Sequence, residues 1–115
     1  MTAPRTLEFK RVAAADHKLL VAFVYDLNPD CSSIGYATVR ITEQPQHGTT
    51  TMENGTGFST FSQNNIRYEC NKRRSDGVII SYVPEAGFTG ADSFTVDVIL
   101  PDGGFNKRHY AIDVR

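Results

Sequence analysis

Tyr82-Val-Pro-Glu-Ala-Gly-Phe-Thr-Gly-Ala-Asp-Ser-Phe-Thr-Val-Asp-Val98 reads as one strand, a tight corner and the strand that returns beside it. Tyr82 is placed to lay its ring on a core with its hydroxyl near a rim, and Pro84, which has no amide hydrogen, ends the ladder. Gly87 and Gly90 let the backbone turn sharply, while Phe88 pins the corner by burying apolar area. Asp92 can accept hydrogen bonds from turn amides two residues away, after which Phe94, Val96 and Val98 alternate against Ser93, Thr95 and Asp97. Turning and packing account for every position, so the stretch specifies a scaffold and no chemistry.

Around this corner, strand-like segments recur about every dozen residues, each bounded by Gly, Pro, Asn or Asp, the rhythm of a sandwich or barrel. Residues 7–12 form a partly buried edge strand, with Leu7, Phe9 and Arg11 opposite Glu8, Lys10 and Val12. Residues 18–25 are apolar on both faces, which places them centrally or beneath the first strand. Ala13-Ala-Ala-Asp-His17 between the two has room for a helical turn and no more. Residues 34–42 alternate, Tyr36, Thr38, Arg40 and Thr42 against Ala37, Val39 and Ile41, until Pro45 and Gly48 interrupt. Extended structure resumes over 49–53, and Asn54-Gly55 is the strongest two-residue hairpin signal in the chain, with 58–61 as the returning strand. Further strands are expected over 66–70, 78–83, 92–100 and 105–115. The last follows a turn at Pro101-Asp-Gly-Gly104 and sets Tyr110, Ile112 and Val114 on one side.

The chain has 115 residues, 40% of them hydrophobic, enough to bury one core, and a single domain over 1–115 is expected. A formal charge of -1 argues against nucleic acid or an anionic membrane surface as partner, since both reward a basic excess. Lys72-Arg73-Arg74, followed by Ser75-Asp76-Gly77, reads as a solvated loop tip. The longest apolar run, Leu19-Leu-Val-Ala-Phe-Val24, falls far short of the roughly 18 residues that cross a bilayer. With Asp16 and His17 before it and Tyr25-Asp26 after it, the run also lacks the form of a secretory signal, so the chain either stays in the cytoplasm or follows a removed leader.

The two cysteines, Cys31 and Cys70, have none of the Cys-x-x-Cys spacing of a structural zinc or redox site. Their even count favours one bridge, with two separate buried thiols as the alternative. A bridge would close a loop of about 40 residues and stabilise the fold by roughly 4 kcal/mol on the chain-entropy model. It belongs to an oxidising compartment, and a periplasmic or secreted location is therefore expected.

Gln44-Pro-Gln-His-Gly-Thr49, then Ile80 to Val98, then Asp102-Gly-Gly104 resemble, in order and spacing, the bacterial immunoglobulin-like and cadherin-like repeat families. The family pattern runs Pro-x-His-Gly, Tyr-x-Pro-x-x-Gly-Phe-x-Gly-x-Asp-Ser-Phe, a valine-rich strand, an Asp-Gly turn and a final strand. The similarity covers residues 38–115; residues 1–30 fit more loosely, and 1–6 are expected to be disordered. The placement of Cys31 and Cys70 also resembles short, exported, single-domain proteobacterial proteins that carry one such module. The resemblance implies an all-β, immunoglobulin-like β-sandwich of about seven to nine mostly antiparallel strands.

Side chains capable of chemistry are scattered. His17, His47 and His109 lie on separate segments without the i, i+2 or i, i+4 spacing that aims imidazoles at one metal; His47 is expected to be packed or backbone-bonded, and His109 to face solvent. Asp26-Leu-Asn-Pro-Asp30 sets oxygen ligands at alternate positions, as calcium loops do, but Cys31 and Ala37 stand where a helix-flanked calcium loop needs Gly and Glu. The glycines of Asn54-Gly-Thr-Gly57 and Gly103-Gly104 match no phosphate loop. No catalytic, cofactor or metal residue is assigned. The expected role is a non-enzymatic binding or structural module of the bacterial envelope. It would meet a protein partner through an exposed sheet edge, the first or last strand, or through end loops around residues 26–33. The alternative is a calcium- or other metal-binding module or a small envelope enzyme, resting on the three histidines, the acidic loop and the cysteines.

Overall fold

A computed structural model describes residues 5–115, and there the alternating segments become seven strands in two sheets. In chain order they are β1 (Thr6–Ala13), β2 (Leu19–Val24), β3 (Thr38–Glu43), β4 (Gly48–Phe58), β5 (Arg74–Pro84), β6 (Gly90–Ile99) and β7 (Phe105–Val114). One sheet has the order β1-β7-β6-β3, the other β2-β5-β4. Every pairing is antiparallel except that of β1 with β7.

The period-2 pattern supplies the interior. Phe94, Val96 and Val98 of β6 and Tyr110, Ile112 and Val114 of β7 meet Val78, Ile80 and Tyr82 of β5 in one buried cluster. Four rings, Tyr82, Phe94, Tyr110 and Phe9, run through it with successive centroid separations of 6.4, 5.2 and 5.0 Å. The Arg11 guanidinium lies 5.5 Å from the Phe9 centroid and 5.6 Å from that of Tyr110, within cation–π range of both rings.

Several expectations give way to the tertiary structure. Asn54-Gly55 makes no hairpin: β4 runs straight through both residues, pairing Asn54 with Val78 and Gly55 with Gly77. Residues 66–70 are not a strand, because Tyr68–Lys72 form a short 3-10 helix that carries Cys70 into the interior. The basic run is only partly a loop tip, since Arg74 already opens β5. The third strand begins at Thr38 rather than at residue 34. The segment 18–25 is not central; β2 is an edge of the three-stranded sheet, and its cover from β1 is the Arg11 side chain, whose Nε donates to the Val21 carbonyl at 2.9 Å. β1 is an edge strand as expected, but β7 lies between β1 and β6 and offers no edge. Of the segment expected to be disordered, residues 1–4 lie outside the described residues, and Thr6 is already in β1.

Candidate functional site

The two motifs that stood apart in sequence meet at one rim of the sandwich. Asp92, at the start of β6, accepts four hydrogen bonds. On Oδ1 these come from the amides of Gln46 (3.0 Å) and Ser93 (2.9 Å), and on Oδ2 from the His47 amide (3.0 Å) and the Tyr82 hydroxyl (2.7 Å). Two of its donors therefore lie in the turn between β3 and β4, and two, Tyr82 and Ser93, in its own corner. Burial opposes ionisation of Asp92, but the bonds from Tyr82, Ser93, Gln46 and His47 outweigh it and hold the carboxyl below its ordinary range. Burial and the Asp92 carboxylate together push the Tyr82 hydroxyl far above the usual phenol range, keeping it a proton donor. The His47 carbonyl accepts the Glu85 amide at 2.8 Å, and the His47 ring stacks on Phe88 at 4.3 Å. The Asp92 bonds from Gln46, His47 and Tyr82 and the Glu85 amide on His47 join the β3–β4 turn, β5 and β6, which is the work of a clasp.

The clasp explains Gly48. A Cβ there would sit 2.6 Å from the Tyr82 ring and 2.6 Å from the Val83 carbonyl, and the backbone oxygen cannot move aside. Gly48→Ala is expected to cost about 2–3 kcal/mol, read as a lower urea midpoint with an unchanged slope. A cost below about 0.5 kcal/mol would show that the turn repacks without the clasp.

At the other end of the sandwich, Cys31 and Cys70 form a disulfide, with Cα atoms 5.4 Å apart and no free cysteine in the chain. The acidic loop beside it does not converge on a point. Asp30 Oδ1 accepts the Ser32 amide and hydroxyl, Asn28 donates to the same hydroxyl, and Asp26 turns instead toward Asp102 and Arg67. Burial, and then the Asp102 charge, raise the Asp26 carboxyl above its usual value. Of the histidines, His17 bonds the Ala15 carbonyl and His109 bonds Glu8 at 2.7 Å on the outer face of the four-stranded sheet. Among the described residues, no three His, Cys, Asp or Glu side chains are grouped to hold a metal ion.

The surfaces that remain are the sheet edges and outer faces, and they are unequal. β1 carries Glu8, Lys10 and Arg11 along eight residues. β2 has a register shift between Leu20 and Ala22, with Arg11 seated on its carbonyl edge. β3 has a shift between Ile41 and Glu43, with Pro45 just beyond. Charge, bulges and proline are the devices that discourage edge-to-edge pairing. β4 is the least protected: its eleven residues pair with β5 in unbroken register, contain one charged residue, Glu53, and no proline, and pair with no other strand among the described residues, while Arg74 alone reaches the edge, its Nη1 donating to the Thr56 carbonyl at 3.3 Å.

The outer face of the four-stranded sheet is polar, with a hydrogen bond between Glu8 and His109 and an ion pair between Asp97 and Lys107, both at 2.7 Å. That of the three-stranded sheet carries an apolar patch over β2 and β5, with Leu20 69% and Val83 38% exposed. Here lies the reason that Asn54-Gly-Thr-Gly57 is no turn. The Phe23 ring lies flat across Gly57 and Gly77, where a Cβ would approach it to 3.1 and 2.6 Å, and Ile79 covers Gly55 at 2.7 Å. Sequence reading missed this surface because Phe23 and the glycines it covers belong to three different strands; the both-faced apolarity of residues 18–25 was its only signal. Comparison with family models, with curated proteins and with solved structures returns no match.

Proposed function

We propose that this chain is a non-enzymatic immunoglobulin-like module of the bacterial envelope that binds a protein partner by accepting an extended segment on the free edge of β4. The neighbour orders β2-β5-β4 and β7-β6-β3 support the immunoglobulin-like reading, being those of strands B-E-D and G-F-C in that fold, with β1 beside the last strand. The Cys31–Cys70 bridge supports residence in an oxidising compartment. The observation that carries the binding role is the eleven-residue β4 edge, free of bulge and proline and covered only by Arg74 at the Thr56 carbonyl, where the other three edges are bulged or charged. Strand addition on such an edge draws affinity from main-chain hydrogen bonds and selectivity from alternate side chains.

Successive amides of a strand point to opposite sides, so of Thr50→Pro and Thr51→Pro one removes a bond to β5 and the other removes an outward donor only. The variant that retains the parent Tm isolates the free edge. With a photo-crosslinking side chain in place of Thr49, an exposed outward position clear of Glu53, the parent is expected to form a discrete adduct in the native envelope, and this proline variant at least tenfold less. Equal adduct yields in the two proteins would overturn the reading.

A further inference from the structure

The outer face beside β4 also defines which segment the edge selects. Glu53, Gly55 and Gly57 point outward in register with Ile79, Gly77 and Ser75, and the two glycines leave that part of the edge strand without side chains. Phe23 and Ile79 fill the space above them and border a groove of about 290 Å³ that Leu20 and Arg74 also line. Side chains of a strand added to β4 stand directly opposite these positions, about 5 Å away, and large ones reach across a glycine to the next strand. Packing of aromatic side chains over edge glycines is a known way to pin register.

We infer that the partner of β4 is an antiparallel segment carrying a basic residue opposite Glu53 and large apolar residues opposite Gly55 and Gly57, which pack on Ile79 and Phe23. This inference rests on the strand-addition reading above. The charge and the apolar shelf lie on one face, so the code is apolar-x-apolar-x-basic from the amino end of the partner. A second copy of this chain fits poorly. The outward residues of its own β4 are Thr49, Thr51, Glu53, Gly55 and Gly57, which supply neither a large apolar group nor a cation.

The probe is a capped, fluorescein-labelled peptide, Thr-Phe-Thr-Ile-Thr-Lys-Thr, against a rearranged peptide of the same composition in which Phe, Ile and Lys no longer alternate. Anisotropy is expected to show at least tenfold tighter binding of the alternating peptide. Ile79→Thr, which keeps a β-branched residue and leaves Tm near the parent value, should remove most of that preference. Glu53→Lys should weaken binding about tenfold, and a peptide with Glu for Lys should restore it. Equal binding of both peptides, lost in the Tm-retaining proline variant, would leave strand addition standing and overturn the code. No binding of either peptide would also overturn the code, and if the envelope adduct is missing too, strand addition falls with it. A dimer that the proline variant converts to monomer would identify a second copy as the occupant and overturn the proposed partner.

Discussion

Asp92→Ala is expected to lower stability by about 3–4 kcal/mol, a fall in Tm of roughly 12 °C for a domain of this size. The loss comes from the donors left behind. The Tyr82 hydroxyl is fully buried, and the amides of Gln46 and His47 are aimed at the same carboxylate from a turn that has few other ties to β6. Asp92→Asn keeps the shape and one acceptor oxygen but turns an amino group toward donors, so an intermediate loss is expected. The two variants also separate the charge from the contacts. Because the folded-state carboxyl is held below its ordinary value of 3.8, ionised Asp92 contributes stability that is fully present above about pH 4 and is lost as pH falls through the lower folded pKa. Asp92→Asn lacks that ionisation, so its urea midpoint should fall less steeply than the parent's below pH 4. Parallel acid limbs for the two proteins would show that Asp92 contributes no linked proton uptake and would sink the clasp as described.

Replacing both cysteines, Cys31→Ser with Cys70→Ser, is expected to cost about 4 kcal/mol, the loop-closure value for a bridge across 39 positions. The bridge ties the acidic loop to the 3-10 helix Tyr68–Lys72, a region with no sheet pairing of its own. Cys70 is fully buried, and Cys31 holds a left-handed φ of 74° that a non-glycine residue rarely adopts. Removing the link should therefore loosen residues 59–73 first, seen as faster amide exchange there than in β6 and β7. Chemical unfolding of the double variant reads the global cost. A loss under about 1 kcal/mol, with exchange unchanged over 59–73, would mean that packing alone orders that end of the sandwich.

Sheets and core were legible because their determinants are local. The alternation of Phe94, Val96 and Val98, or of Tyr110, Ile112 and Val114, depends only on the two-residue period of a strand, and Pro84 and Gly90 act on their own dihedrals. The disulfide was legible for a related reason, since two cysteines allow one pairing. Misreadings fell where a local preference was outweighed from a distance. Asn54-Gly55 has the chemistry of a hairpin, yet Phe23 and Ile79 need a bare backbone beneath them, and eleven pairs with β5 outweigh one turn. Asp92 was expected to serve its own corner, and two of its four donors lie 45 and 46 positions away. By itself, then, the sequence determined that this is an all-β chain with a glycine- and proline-turned corner and a single possible bridge. Only the tertiary structure decided which strand ends a sheet with the least protection and which face carries the apolar shelf, because edges and faces are relations between strands, and no residue encodes its neighbour across a sheet.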